Sequence, residues 1–448
     1  MKNLRWPIAL SFLFIANAFA APIDWNGQLN FDSNTISKFR KSSDSCTAAA
    51  GSQCVTDGDN NARFQTYLLK LQPSLLVNDS VTVKGELTTG DARGGFIGAN
   101  TDWGQSQTGN NSYYNNSSDG TNSLVVNQLY AVLYADTALF RVGKFSKHFG
   151  LGALINSGEG QNDRFYTQFD GIEAEFKLGN LKFTPFWVKS NTNAKKPTGR
   201  FDAIESGLTM QYLNPDSNLT VGAYYGIREV ETQNTYYLST GKHQANIIDI
   251  FIEKKWENAR LALEVPMLKG KVGGAYNNDS NASLDSTSYI IESYINTSKR
   301  WRFGLDTGVI SGDKGSSSSF EATYLHPNYQ IAKILYRYNY NQFNDTTTGN
   351  IFDSAIVNST YYKLYTTYSG DTWNIDMSMI MASANQVASN GSVFYDHQYN
   401  QNVTAVADQK KNLGTEFDFE LHYNWNPSVV VTTYFAHLQT GDYFKFTN

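Results

Sequence analysis

Long apolar runs are missing from this chain of 448 residues. Past residue 20 no segment is long and apolar enough to cross a membrane as a helix, which takes about twenty such residues. Cysteine is almost absent. Cys46 and Cys54 are the only two, close together in one polar segment, which excludes a disulfide scaffold. In an exported protein their spacing favours one local bridge pinning a loop, and a metal site is disfavoured because no histidine lies near them. Histidine is sparse as well: His148, His243, His326, His397, His422 and His437. None is paired at metal-ligand spacing, and no loop fits the calcium-binding pattern. No metal and no cofactor is therefore expected. His422 and His437 fall on neighbouring segments, yet no nucleophile motif accompanies them, so no enzyme is expected. Excess positive charge is also lacking. There are 36 Lys and Arg against 41 Asp and Glu, a net charge of −5, which argues against general nucleic-acid binding.

Aromatics are abundant, at 14 % of residues with 28 Tyr and 27 Phe. They suit a membrane–water interface, where one end of the ring is dry and the other wet. A second pattern recurs roughly every twenty residues: a segment of alternating apolar and polar side chains, then a turn. Alternation of that kind makes a strand with one greasy and one wet face. The turns are of two kinds, short ones such as Val77-Asn78-Asp79 and long Gly/Asn/Ser-rich ones. A soluble sandwich or solenoid would share the alternation. The two turn classes and the aromatics point instead to a transmembrane β-barrel, one of two structures that pair every backbone group in hydrocarbon.

Residues 1–20 read as an export signal. Lys2 and Arg5 are followed by the apolar run Ile8–Ile15 and the small-x-small site Ala18-Phe19-Ala20. Residues 21–448 then form one barrel domain. Strands are expected at 24–33, 63–77, 80–89, 123–134, 138–147, 166–178, 181–190, 202–213, 218–229, 244–256, 259–268, 287–298, 301–311, 354–368, 372–383, 413–426 and 428–440. Residues 35–62, 90–122, 148–165, 312–353 and 384–411 are long loops. The stretch 331–340 is apolar and Tyr-rich, and is read as part of a loop.

Three segments bear a resemblance. The first is Arg141-Val142-Gly143-Lys144 with Phe149-Gly150, Arg164 and Phe169-Asp170-Gly171. The second is Ser311-Gly312-Asp313-Lys314 with Phe320 and Leu325-His326-Pro327-Asn328-Tyr329. The third runs from Asn412-Leu413-Gly414-Thr415-Glu416-Phe417-Asp418 to Thr440-Gly441-Asp442-Tyr443. In order and spacing they resemble the alginate-export porin family. That resemblance implies an eighteen-stranded monomeric barrel with an arginine-rich lumen for an anionic polysaccharide and a long loop at 312–353. It places Lys144, Arg164 and Asp170 on family signature positions. Lysine stands where the family has arginine at 144, which replaces a bidentate fork by a point charge. The inward faces also carry about as many acids as bases, including Glu86, Glu173, Glu264, Glu292, Asp376, Glu416 and Asp418. Tyr443–Asn448 is too short for a full downward strand, so the expected plan is sixteen to eighteen strands with a last one missing.

Inward charges in a barrel mostly pair across strands and solvate the lumen. A subset at the constriction would set selectivity. The candidates are Arg141, Lys144, Lys147 and Arg164, which flank the 148–165 loop, with Asp170, Arg228, Arg260 and Arg302 elsewhere on the wall. The inward tyrosines Tyr130, Tyr224, Tyr294 and Tyr365 suit a sugar-stacking track or, more simply, filling. The expected function is passive diffusion or export of hydrophilic solutes, anionic or sugar-like, or of a polysaccharide, across a bacterial outer membrane whose lipids surround a monomeric barrel. The alternative is a surface barrel with a blocked lumen whose long loops bind a partner or matrix.

Overall fold

In the computed structural model, residues 23–39, 61–89, 95–96, 124–191, 203–230, 243–272, 276, 281–315, 318–340, 351–397 and 401–446 are described. The export signal and the Cys46/Cys54 pair lie outside them. Seventeen long strands form a single antiparallel sheet: β1 (Ile23–Ser37), β2 (Asn61–Asn78), β3 (Val81–Thr89), β4 (Leu124–Tyr134), β5 (Ala138–Ser146), β6 (Gln168–Leu178), β7 (Leu181–Asn191), β8 (Ala203–Asn214), β9 (Leu219–Val230), β10 (His243–Lys255), β11 (Ala259–Lys271), β12 (Ser283–Thr287 continuing as Tyr289–Asn296), β13 (Trp301–Ile310), β14 (Ser359–Ser369), β15 (Trp373–Ala384), β16 (Asn412–Asn426) and β17 (Val429–Thr440). Each pairs with its chain neighbours. All short turns lie at one end and all long loops at the other, because an antiparallel meander returns to the same end every second connection.

The alternation has the predicted sense. Lys70 and Thr66 are 1 % exposed on the inner face of β2, whereas Phe31 on β1 and Phe435 on β17 are 68 % and 67 % exposed on the outer face. Exposed apolar side chains follow on strand after strand, among them Leu129, Ile172, Ile250, Leu305 and Phe419. So large a contiguous apolar surface marks contact with something other than water. Its rims are aromatic. Trp25, Trp256, Trp301, Trp373 and Trp425 are all exposed at the short-turn end, and Tyr225, Tyr289 and Tyr362 toward the other. Trp301 stacks near Tyr368 and Trp373 near Tyr423, with centroids 5.0 and 4.4 Å apart. Tyr289 pairs with Val309. The run from Trp301 to that pair is about 27 Å of strand, or about 20 Å of height at the usual barrel tilt. That height is close to a hydrocarbon belt. Leu305 sits midway. Leu305→Arg is expected to cost about 2–4 kcal/mol, measured by urea unfolding from liposomes; a neutral result would move the belt elsewhere.

The sheet curls far enough for a side chain of its last strand to reach its first. The Tyr434 hydroxyl on β17 donates to Asn34 Oδ1 on β1, but no backbone ladder joins these two strands among the described residues. With an odd strand number, β1 and β17 run in the same direction. Against the expected eighteen-strand plan, seventeen long strands are described.

Outside the barrel, Val393–Asp396 and Gln401–Thr404 form a separate hairpin. His397 clips it to the rim by accepting from the Asp313 amide at 2.9 Å, so its ring must be neutral at that nitrogen. Burial pushes the His397 pKa down to about 4, against the opposing pull of Asp313. The exposed value is about 6.5. A depressed imidazole pKa stabilises the clipped state fully above about 6.5, and that contribution is lost as pH falls toward 4. Between pH 7 and pH 5, opening of this hairpin should rise about twentyfold. Amide exchange over 393–404, corrected for the intrinsic pH effect, checks this; equal protection at both pH values would contradict it.

Candidate functional site

Two long loops fold into the lumen. The first, residues 147–167 between β5 and β6, crosses it. Phe149 is buried between Phe251 and Tyr224, with centroids 6.4 and 6.0 Å away. It lies flat over Gly222, where a Cβ would come within 3.1 Å of the ring. Gly150 has φ +60 and rests on the Glu264 carboxylate, and the Leu151 amide donates to Glu264 Oε2. These contacts fix the loop to β9–β11. Its far end is held by β1 and β2. Lys70 Nζ donates to the carbonyls of Gly158 and Gly160 at 3.1 and 2.7 Å, and Asn30 Nδ2 donates to Asn162 Oδ1 at 3.1 Å.

The second loop, residues 311–358 between β13 and β14, packs on the first. The His326 amide donates to the Ala153 carbonyl at 2.7 Å. Asn328 Nδ2 donates to the Phe165 carbonyl at 2.6 Å, while its Oδ1 accepts from the Phe165 amide at 3.2 Å. Three successive amides, those of Lys333, Ile334 and Leu335, converge on the Glu416 carboxylate of β16 at 2.9, 2.7 and 2.8 Å. Leu325, Ile331, Leu335 and Ile356 form a core with Ala153, Ile310 and Tyr361 inside the barrel. The stretch 331–340 is therefore irregular chain in the lumen, not a wall strand.

Between the loops, beside β1 and β2, a polar cavity of about 260 Å³ remains. Arg164, Arg337, Asp163, Asn162, Asn328 and Gln330 are among its lining residues. Arg164 donates to Thr66 Oγ1 at 2.9 Å, lies 3.5 Å from Asp32, and is covered by the Phe352 ring at 4.0 Å. Burial lowers its pKa to about 10, which leaves it cationic at neutral pH. The lining holds two guanidiniums and one carboxylate, Asp163, which already accepts from the Gly160 amide at 2.9 Å. The lining therefore carries a net positive fixed charge.

The other sequence candidates are spread over the wall. Arg141 and Lys147 share Glu173, at 2.5 and 2.7 Å. Arg228 forks onto Glu205 Oε2 at 2.9 and 2.7 Å. Arg260 bridges Glu253 at 2.6 Å and Glu292 at 2.9 Å. Arg302 donates to Asn296 Oδ1 at 3.0 Å and lies 3.9 Å from the Tyr294 ring. Each of these cations has a polar partner on its own or the adjoining strand, which is the solvating role that lumen charges commonly play. Lys144 and Asp170 face the other way. Lys144 pairs with exposed Leu129 and with Asp170, while its alternates Arg141 and Phe145 are the ones that point inward. Both signature positions thus fall on the outer face, so neither lines the pore. Tyr224 is filling, stacked on Phe186 at 5.3 Å. His437 pairs with exposed Phe417, whereas His422 faces inward to Asp376 and Thr432; the two histidines do not meet.

Sequence reading missed Arg337, Lys70 and the anchoring carboxylates Glu264 and Glu416. Lys70, Glu264 and Glu416 were visible as inward charges, though not as anchors. Arg337 carried no signal, because it lies in a segment whose path into the lumen no local pattern encodes.

Fold and site together define a large antiparallel β-barrel narrowed by two inward loops. No family model and no curated relative matches the chain. Solved structures similar to it include OccK11 (OpdR) of Pseudomonas aeruginosa, at 10 % identity and a TM-score of 0.48, over 93 % of this chain and 90 % of that one. OprD of Pseudomonas aeruginosa matches at 10 % and 0.48, over 93 % and 88 %. An anion-selective porin from Comamonas acidovorans matches at 10 % and 0.44, over 93 % and 100 %.

Proposed function

We propose that this protein is an outer-membrane channel for passive diffusion of small hydrophilic solutes, with a preference for anionic or sugar-like ones. In this reading the short turns face the periplasm, the long loops face outward, residues 1–20 direct export, and no reaction is catalysed. The observation that carries it is the cavity between the two inward loops, with Arg164 and Arg337 on its wall. In this reading a solute passes these guanidiniums, and fixed charge at a constriction sets selectivity. The resemblance to alginate-export porins would imply a polysaccharide cargo. A space of about 260 Å³ suits one small solute better than a polymer, so we favour small solutes and treat alginate as the narrower version of the proposal. The same resemblance would imply a monomer.

The test is current across a planar bilayer. Steady conductance with an anion-favouring reversal potential in a salt gradient supports the reading. Absence of current from folded protein removes it. The second reading, a blocked surface barrel, is favoured by one observation: an apolar core of loop residues such as Leu325 and Leu335 sits inside the lumen. It gains if no current flows.

A further inference from the structure

The long-loop end carries a second cavity, of about 190 Å³, away from the constriction. The rim connections around β13 to β17 build it, together with the clipped hairpin and the turn Asp442–Lys445 that follows β17. Its aromatic side chains are Phe394, Tyr395, Tyr443, Phe444 and Phe446. Phe394 meets Phe446 edge-on at 5.7 Å, and Phe444 is 43 % exposed. Its polar groups include the carboxamides of Gln386 and Gln409, the Asp396 carboxylate and the His397 ring. The walls are set independently of any ligand. Asp313 is held by the Tyr276 hydroxyl and by the Gly315 and Glu321 amides, at 2.6, 2.6 and 2.7 Å. Gly315, at φ +75, brings its backbone against that of Phe394 where no side chain would fit.

We infer that this cavity is a binding site for one neutral sugar ring, separate from the pore. Three features select that class. Planar amide and carboxylate side chains beside aromatic faces match hydroxyls, which both donate and accept, and a ring's C–H face, which is apolar. Charge argues against an anion: Asp313 and Asp396 stand against Lys314, which is itself paired with Glu321 at 3.4 Å. The volume equals that of about six waters, room for a single pyranose and not for a chain. The site would hold a sugar at the outer face whether or not the lumen conducts, so this inference does not depend on the proposed transport.

The experiment titrates methyl α-glucopyranoside into the full protein in lauryldimethylamine oxide, a sugar-free detergent, by calorimetry and saturation-transfer NMR. Saturable binding is expected, weakened about tenfold or more by Phe444→Ala and by Gln386→Ala separately. Arg164→Ala should bind the sugar like the parent, because it lies at the other cavity. Circular dichroism and a monodisperse elution profile confirm that each variant is folded; the exposed Phe444 ring makes its loss tolerable. The inference is overturned if the sugar does not bind saturably. It is equally overturned if both variants bind unchanged, or if tetramethylammonium or gluconate occupies the site more tightly than the sugar.

Discussion

Glu416→Ala should convert a narrow channel into one that visits a much wider state. One carboxylate accepts three consecutive amides of the second inward loop. A hydrogen bond of this kind is worth about 1 kcal/mol net. Removal of all three should destabilise the docked loop by about 3 kcal/mol. That is about a hundredfold in the docked-to-released ratio. The apolar contacts of Leu325, Ile331 and Leu335 remain, so the loop should leave in bursts and not permanently. Single-channel recording would show long, high-conductance openings in the variant and almost none in the parent. Glu416→Gln keeps one acceptor oxygen and should fall between them. Unchanged traces in both variants would mean that the apolar core alone holds the loop.

The same residue marks the border of what a sequence reader can reach. All seventeen strands were legible, because lipid and water impose opposite demands on alternate side chains and every barrel strand obeys them. The strand 63–77 reads its own faces: Leu69 and Leu71 to lipid, Lys70 and Gln72 to the lumen. The code fails where the lumen is not wet. Phe149, Leu325, Ile331 and Leu335 are apolar yet inside, so 331–340 looks like a strand and is a plug. The code holds even through a glycine with an unusual backbone, for Arg141, Phe145 and Lys147 all face inward. Gly143 has φ +127, and beyond it Lys144 is outward while Lys147 is inward and buried against Glu173. Anchoring acids such as Glu264 and Glu416 look like any other inward carboxylate, since their partners are backbone amides of loops 81 to 113 positions away along the chain and unmarked by any motif.

Reversing Arg164 and Arg337 together to glutamate should invert the ion preference of the pore. In the parent, two guanidiniums and Asp163 line the cavity. The double variant would carry three carboxylates there, with Asp32 near the first of them. Two like-signed charges in a narrow, partly desolvated passage raise the entry barrier for an anion by several kcal/mol at an effective dielectric of about 20. The reversal potential in a salt gradient should therefore change sign. Arg141→Glu and Arg302→Glu are the controls. Each sits on the wall and neither lines the cavity between the loops, so each should shift the potential far less. High salt should shrink the difference, because at 1 M the screening length is about 3 Å. If the wall variants move the potential as much as the pair at the cavity, selectivity is set by the summed lumen charge, and the constriction between the loops is not the filter.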